Sequence, residues 1–282
     1  MKLALRIALR YLFAKKSQNI INVVSMISVT GVFVGSLALI VVLSVFNGLH
    51  GLIGSLYSSF DPELKVLPHE GKVFSTDSIA FEELQSTDGV EEVTRMVEDH
   101  ALIRSEKRQV PAIIMGVDNN FADVSGIDSI LVEGEYKLQD NSGNFGVIGY
   151  VLADQLSVRL NFVRPLVIYA PRRQGQVNMM RPDLSFRKEY FHPAGMFAVH
   201  QLEYDSRYLI IHIDQARSLF EYGDDKVSSL GLSLDPSAKT EKVKKTIAGL
   251  LGPQFDVLNR QEQHETFYKL MRVEKFMAYL IL

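Results

Sequence analysis

The chain has 282 residues, of which 47% are hydrophobic, so it can hold one large domain or two domains of ordinary size. Five of its 30 Lys and Arg residues lie in residues 1–16, which contain no acidic residue, and this leaves 25 basic against 33 acidic residues in the remainder. An acidic remainder argues against nucleic acid as a partner, because phosphates require clustered Lys and Arg. The absence of cysteine excludes disulfides and thiolate metal sites.

The next feature along the chain is residues 17–60, which contain no Asp, Glu, Lys or Arg. The apolar part of this segment, residues 20–46, exceeds the ~20 residues that are needed to cross a bilayer. A cleaved export signal has a shorter apolar region followed by a small-residue cleavage site. A buried core helix rarely runs this long without a charge. The segment therefore predicts a transmembrane helix.

The basic residues before this helix predict its orientation. Positively charged flanks stay in the cytoplasm, so residues 1–16 are predicted to be a cytoplasmic segment. The residues after the helix then lie outside the cytoplasm, which in a bacterium with two membranes is the periplasm.

Residues 17–60 are predicted to form this first transmembrane helix together with a stalk. As one helix these 44 residues would reach about 66 Å, roughly twice the ~30 Å hydrocarbon core of a bilayer. The part of the helix that exceeds the bilayer either continues as a stalk above the membrane, or the helix breaks near Asn47-Gly48. Gly31 and Gly35 have the spacing that lets two helices pack closely, although glycines also occur in ordinary spans.

Residues 61–258 have the pattern of a mixed α/β domain. Alternating and β-branched runs predict strands at 63–68, 90–98, 164–171, 191–200, 206–214, 227–234 and 255–259, a strand entering a helix at 146–160, and a hairpin over 100–118 with its tip at 105–108. Helical periods predict a helix from residue 78 that is stopped by Asp88-Gly89, a helix at 215–223 with Asp214 as the N-cap, and a helix at 237–252.

The last residues, 259–282, have a helical period and carry no charge from Phe276 onward. They predict a stalk followed by the start of a second transmembrane helix.

Residues 171–190 fit neither period. They contain two prolines, one glycine and five basic residues. A loop of this length inside a compact domain is usually either functional or disordered.

The sequence predicts no catalytic, cofactor or metal site. Gly71-Lys72 lacks the other residues of a phosphate-binding loop, and no serine lies in a Gly-x-Ser-x-Gly turn. His212 and Asp214 share one face of a predicted strand, but no third metal ligand is spaced nearby, so a surface pair or a cap is the better interpretation. Asp205 is a candidate general base only as a lone carboxylate in a turn, which favours a structural role.

Three segments resemble the lipoprotein-releasing permeases (LolC and LolE) of the wider FtsX/MacB-type family. They are the basic LALRIALRYLFAKK leading into VSMISVTGVFVGSLALIVVLSVFNGL, the passage EYDSRYLIIHIDQARSLFEYGDDKVSSLGLSL, and the final QEQHETFYKLMRVEKFMAYLIL. The resemblance covers essentially the whole chain. It implies an α+β fold in which an N-terminal transmembrane helix is followed by a two-lobed MacB-like periplasmic core domain and the start of a second transmembrane helix.

The resemblance also implies how the chain is divided. The periplasmic domain is expected over residues 61–258, with lobe one near 61–117 and 215–258 and lobe two near 118–214. The family has four spans and a cytoplasmic segment that engages an ATPase. This sequence shows one span and the start of another, so it is expected to be shortened at the start of its second span.

The resemblance implies partners rather than a cofactor. The partners are a cytoplasmic ATPase subunit, a second permease chain in a homo- or heterodimer, a lipoprotein substrate, a periplasmic lipoprotein chaperone and membrane lipid. The chain itself is then a non-catalytic subunit in the bacterial inner membrane, because ATP hydrolysis belongs to a separate chain.

Two sets of site residues follow from this expected function. A lipoprotein cavity is expected on the first helix at Met26, Val29, Phe33, Val34 and Leu37, unless these residues only face lipid. A hook that engages the chaperone is expected at Arg173, Gln174, Val177, Met179, Met180, Arg181 and Pro182. In the hook the methionines offer adaptable apolar contacts and the arginines offer polar anchors. The alternative to a hook is a disordered surface loop without a partner.

The expected function is the release of lipoproteins from the inner membrane to the chaperone by mechanical coupling to ATP hydrolysis. Two alternatives within the family are a MacB-like exporter and an FtsX-like regulator of cell-wall hydrolases. From another class, a single-span anchored periplasmic binding or sensor domain would fit a chain that ends at Leu282.

Overall fold

The protein is described by a computed structural model. It describes residues 3, 6, 7, 10, 19–57, 60–106, 108–140, 143–160, 165–173, 185–264, 269, 270, 273, 274, 276, 277 and 280. The chain divides into two compact units, one formed by Met1–Ile53 with Thr266–Leu282 and the other by Gly54–Glu265.

The N-terminal helix, α1, spans Asn19–Tyr57, which is 39 residues or about 58 Å at 1.5 Å per residue. Its segment Val23–Gly48 is long and apolar enough to cross a membrane, and none of that segment is buried within the described part of the chain. Exposure of this kind argues against a core helix. The helix passes through Asn47-Gly48 without a break, so the continuous alternative predicted from the sequence is confirmed.

The remaining elements lie between residues 64 and 263. The strands are β1 Leu64–Pro68, β2 Phe74–Ser75, β3 Val90–Ser105, β4 Arg108–Val117, β5 Leu131–Gly134, β6 Gln139–Asp140, β7 Gly143–Gly149, β8 Leu166–Pro171, β9 Phe186–Phe197, β10 Tyr208–His212, β11 Lys226–Val227, β12 Ser229–Leu234 and β13 Phe255–Asn259. The helices are α2 Phe81–Gln85, α3 Phe121–Val124, α4 Tyr150–Leu156, α5 Leu202–Asp205, α6 Ile213–Phe220, α7 Thr240–Leu251 and α8 Arg260–Gln263, with 3-10 turns at Thr76–Ser78 and Ile127–Ile130.

Among the described residues the strands build an 11-stranded mixed sheet in the order β13-β1-β12-β3-β4-β10-β7-β9-β5, with β6 beside β7. The strand β8 pairs with both β3 and β9, so β3, β4, β10, β7, β9 and β8 form a closed ring of pairings. The strands β12, β1 and β13 extend from the N-terminal half of β3 as an open arm. A small second sheet pairs β2 with β11.

The strands β10 and β12 bury nearly all of their side chains. The sequence of β10 is almost continuously apolar, whereas β12 alternates leucine with the small residues serine and glycine. The strands and helices between residues 64 and 263 confirm the predicted mixed α/β domain after one apolar helix. The assignment of residues to two lobes stays a prediction, because β3 contributes to both the arm and the ring.

Two predicted elements differ in length. The strand predicted at 90–98 and the first leg of the hairpin predicted from residue 100 are one strand, β3, which runs for 16 residues without a break. The helix predicted from residue 78 is only α2, Phe81–Gln85, because Ile79 is extended after the 3-10 turn and Ser86 is the C-cap. The predicted stop at Asp88-Gly89 agrees with a turn at Gly89, where φ is 89°.

The predicted N-cap of α6, Asp214, is wrong by two residues. His212 is the N-cap of α6, and its Nδ1 accepts a hydrogen bond from the backbone N–H of Asp214 at 3.3 Å. Asp214 itself lies in the first turn, where its negative charge is favourable beside the positive end of the helix dipole.

Two predictions near the chain's later part are also corrected. The loop predicted over 171–190 is shorter, because its last residues, from Phe186, already belong to β9. The helical stretch predicted from residue 260 begins with a short helix that ends at Gln263, residues 265–268 lie outside the described residues, and the described residues between 269 and 280 are helical as predicted.

Substituting alanine for Gly116 is expected to lower the free energy of unfolding by about 1–3 kcal/mol, the usual cost of overpacking. A Cβ at Gly116 would lie 2.2 Å from the Cβ of Ala216 and 3.2 Å from the Cα of Ile213, so α6 would have to move away from β4. The measurement is denaturant unfolding of the full chain, followed by tyrosine fluorescence because tryptophan is absent.

The matched control is Gly249→Ala on the exposed side of α7, where a Cβ meets nothing within 4 Å. This variant is expected to be unchanged or more stable by up to about 1 kcal/mol, because alanine favours the helix over glycine. Equal stability of the two variants would contradict the close packing of α6 on β4.

Candidate functional surfaces on the apolar helix and the β8–β9 connection

The five residues predicted to form a cavity lie on one side of α1. Met26, Val29, Phe33, Val34 and Leu37 are between 51% and 65% exposed. At about 100° per residue they occupy an arc of about 140°. They therefore form a continuous apolar surface that is open to lipid or to a partner.

The two glycines predicted to pack against a partner lie on the opposite side of the same helix, about 150° around from the centre of that arc. A Cβ built at Gly31 or at Gly35 meets no described atom of this chain within 4 Å. One face of α1 is therefore open to a second helix, and the other face is open to lipid or to a cavity. Both assignments stay predictions.

The segment predicted to be a hook connects two paired strands. In the β8–β9 pair the last matched residues are Pro171 and Phe186, and the backbone N–H of Arg172 donates to the carbonyl oxygen of Ser185 at 2.9 Å. The connection is therefore much longer than the 2–5 residues of an ordinary hairpin. Residues 174–184 lie outside the described residues, and these include the predicted hook residues Gln174, Val177, Met179, Met180, Arg181 and Pro182.

Arg173 is the predicted hook residue that lies among the described residues, and it contacts its own domain. Its guanidinium binds the carboxylate of Asp99 on β3 and the hydroxyl of Tyr222. It also stacks 4.1 Å from the centre of the Tyr222 ring, a favourable cation–π contact. Arg173 thus holds the start of the β8–β9 connection against β3, a strand of the closed ring of strands.

The charges around Asp99 favour its ionised form. Burial acts to raise the pKa of the Asp99 carboxyl, but the backbone N–H of His100 and the cations Lys72 and Arg173 outweigh it, so the pKa is lowered. Burial and the Asp99 carboxylate raise the pKa of the Tyr222 hydroxyl to about 12. At neutral pH Asp99 is therefore an acceptor, and Tyr222 keeps the proton that it donates to Asp99 at 3.1 Å.

A second carboxylate contacts both legs of the connection. One oxygen of Glu221, Oε2, accepts a hydrogen bond from the backbone N–H of Arg173 at 3.0 Å. The other, Oε1, lies 3.5 Å from the guanidinium of Arg187 on β9. Glu221 therefore bridges the strand that leads into the connection and the strand that leads out of it.

The catalytic and metal candidates of the sequence have structural roles. The Nδ1 of His212 lies 3.5 Å from the carboxylate of Asp214, and among the described residues no group of three or more metal-ligand side chains occurs. Asp205 is buried, and its carboxylate accepts the backbone N–H of Val199 at 2.8 Å. It stabilises the turn before β10.

A cluster in which the buried Asp61 contacts Tyr204 and His264 was not predicted from the sequence. Asp61 is 203 positions from His264, so no local pattern connects them. An available signal was Asp61 itself, the first charge after the long uncharged segment, next to a proline that fixes the direction of the backbone.

The described residues combine a mixed α/β domain with a preceding helix that is long and apolar enough to cross a membrane. The model of one family, described as the MacB-like periplasmic core domain, matches residues 25–176, which is more than half of the chain. The chain belongs to the MacB-like periplasmic core domain family. The family resemblance stated from the sequence is confirmed.

Two relatives match nearly the whole chain. The lipoprotein-releasing system transmembrane protein LolC of Neisseria meningitidis is 25% identical over 292 residues, which cover 98% of this chain and 65% of that protein. The protein of the same name from Buchnera aphidicola is 21% identical, with 99% of this chain and 67% of that protein covered. The chain thus spans about two thirds of the length of these relatives.

Among solved structures, the periplasmic region of MacB from Actinobacillus actinomycetemcomitans is similar. It shares 12% sequence identity, covers 73% of this chain and 92% of its own, and gives a TM-score of 0.49. The family assignment rests on the sequence match.

Proposed function

We propose that this chain is part of the permease subunit of an ATP-driven complex that releases lipoproteins from the bacterial inner membrane to a periplasmic chaperone. The observation that carries this proposal is the similarity to LolC over 98% of the chain. Because the chain spans about two thirds of that relative, the activity, the substrate and the partners of the whole protein all belong to the proposal.

The proposed orientation places the N-terminus in the cytoplasm and the mixed α/β domain in the periplasm. The basic residues in segment 1–16 support it, because positive flanks resist translocation.

The proposed mechanism is mechanical. A separate cytoplasmic ATPase hydrolyses ATP, and two permease chains pair in the membrane, so this chain is a non-catalytic subunit. Movement of α1 would expel acyl chains from a cavity lined by Met26, Val29, Phe33, Val34 and Leu37. Since moving an acyl chain out of lipid costs about 0.8 kcal/mol per CH₂, release requires both ATP and a receiving chaperone. The β8–β9 connection is the proposed chaperone hook.

The second candidate is a MacB-like exporter, which is favoured by the description of the matching family model. An FtsX-like regulator of cell-wall hydrolases would use the same coupling. These two candidates differ from the first in the molecule on which the movement acts, which is an exported substrate or a cell-wall hydrolase in place of a lipoprotein.

The test reconstitutes the full-length protein with its ATPase in liposomes that contain a labelled lipoprotein. ATP is expected to release the lipoprotein only when a purified periplasmic lipoprotein chaperone is present, because the acyl chains need an acceptor. A non-hydrolysable ATP analogue is the control. ATP hydrolysis without lipoprotein release would contradict the first candidate and would favour the second.

A further inference from the structure

The α/β domain begins and ends in one buried cluster, which we call the junction cluster and define as Phe60, Asp61, Tyr204 and His264. Asp61 is 7% exposed. Its Oδ2 lies 2.8 Å from the hydroxyl of Tyr204 and 2.7 Å from Nε2 of His264. The Tyr204 hydroxyl donates to this oxygen, and Nε2 of His264 donates to the same oxygen in the tautomer that carries its proton there.

Further bonds join the chain passages on either side of the cluster. The backbone carbonyl of Asp61 accepts from Nε of Arg260 at 3.1 Å, and that of Pro62 accepts from Nε2 of Gln263 at 3.1 Å. The guanidinium of Arg260 also lies 3.7 Å from the carboxylate of Glu63. The incoming passage, residues 60–63, and the outgoing passage, residues 260–264, are therefore bonded to each other directly.

The cluster is also joined to the ring of strands. Phe60 is 1% exposed, and its ring centre lies 4.5 Å from that of Tyr204, 5.3 Å from that of Tyr208 and 5.4 Å from that of Phe197. Tyr208 begins β10 and Phe197 ends β9, so both belong to the ring. Burial and the Asp61 carboxylate raise the pKa of the Tyr204 hydroxyl, which therefore stays a donor at all physiological pH values.

We infer that Asp61, Tyr204 and His264 are positioning residues which hold the incoming passage, the outgoing passage and the ring together as one body, so that movement of either passage moves the whole α/β domain. This inference rests on the proposed function, because it assigns to the cluster the transmission of ATP-driven movement to the periplasmic side. A buried carboxylate with two donors resists separation, since breaking either contact leaves a buried polar group without its partner.

The chain offers a matched control for the cluster. Nδ1 of His69 lies 3.1 Å from the carboxylate of Asp256. His69 directly follows β1, and Asp256 lies on β13. This second Asp–His pair has a sequence separation of 187, against 203 in the cluster, but its side chains are about half exposed or more. Exposed pairs contribute little to stability.

The experiment compares Asp61→Asn with Asp256→Asn in the full-length reconstituted complex and measures lipoprotein released per ATP hydrolysed. Asp61→Asn is expected to lower this ratio at least tenfold while the ATP hydrolysis rate is unchanged, and Asp256→Asn is expected to leave both unchanged. An unchanged ratio for Asp61→Asn would overturn the inference.

A second variant separates positioning from a folding defect. The 282 residues contain no cysteine, so the double variant Asp61→Cys with His264→Cys places one pair of thiols in them, and any cysteine elsewhere in the complex is first replaced by serine. It is expected to be uncoupled when reduced and to regain coupling when a short bis-maleimide joins the two thiols. Loss of coupling that persists after cross-linking would overturn the inference.

Amide hydrogen exchange distinguishes failure of this inference from failure of the proposed function. In Asp61→Asn, exchange is expected to rise at least tenfold in residues 61–66 and in residues 258–263 together, and Asp256→Asn is expected to leave both segments unchanged. If the wild-type complex releases no lipoprotein, the proposed function is wrong and exchange alone decides the inference. A rise confined to one of the two segments would then overturn it.

Discussion

Substituting aspartate for both Met179 and Met180 is expected to weaken binding of the periplasmic lipoprotein chaperone about thirtyfold or more. On the proposed function these methionines are the apolar contacts of the β8–β9 connection, and methionine adapts well to a partner surface. Removing a central apolar anchor from an interface costs about 2 kcal/mol or more, which corresponds to about thirtyfold in Kd. The new carboxylates add a desolvation penalty when the surface is covered.

The contacts at the two ends of the β8–β9 connection explain why the methionine substitutions should affect chaperone binding and not the fold. The β8–β9 pair and the contacts of Arg173 with Asp99 and Glu221 fix the two legs before the connection begins. Substitutions beyond these anchors are therefore expected to leave the fold and the ATP hydrolysis rate unchanged.

The measurement is a titration of the purified full-length protein with the chaperone, supported by photo-cross-linking from residues 174–182. The matched control is Leu250→Asp. Leu250 is an exposed apolar residue of α7, and α7 packs on β13, the strand at the other edge of the sheet. The control is expected to bind with wild-type affinity. Equal affinity of the methionine variant and the control would argue for a surface loop without this partner.

The sequence predicted those parts of the fold that depend on local patterns. Uninterrupted hydrophobicity predicted α1, and alternating or continuous apolar runs predicted β10, β12 and β13, because burial of one face or both faces leaves a period in the chain. The start of β9 was missed because Arg187, Lys188 and Glu189 hide its alternation behind charge. The cap of α6 was misplaced because the imidazole of His212 takes the role that Asp214 more often has.

Contacts between distant residues could not be predicted in this way. The bridging role of Glu221 depends on two legs that meet only when β8 and β9 pair, and the junction cluster joins residues more than 200 positions apart. Neither arrangement leaves a period or a motif in the sequence. The shared face of Gly31 and Gly35 on α1 did follow from the sequence, because helical geometry alone decides which residues share a face.

Substituting leucine for both Gly31 and Gly35 is expected to lower the yield of permease dimer at least tenfold, which is about 1.4 kcal/mol. Close packing of two membrane helices requires small residues at the contact, and leucine side chains would hold the backbones apart. Within this chain the substitution meets no described atom within 4 Å of the new Cβ, and leucine favours a helix more than glycine does. The isolated chain is therefore expected to keep its helix and its stability, so that any loss reports a contact with another chain.

The matched control is Gly48→Leu, which lies on the same helix about 140° around from Gly35, on the side of the predicted cavity. A Cβ at Gly48 likewise meets no described atom within 4 Å, so the two variants differ in the face that they change and not in internal packing. Co-purification of two differently tagged copies, or of the two permease chains where they differ, measures the dimer. Equal dimer yields from both variants would assign Gly31 and Gly35 to a lipid-facing surface, whereas loss confined to the glycine pair would make that face the contact through which one permease chain meets the other.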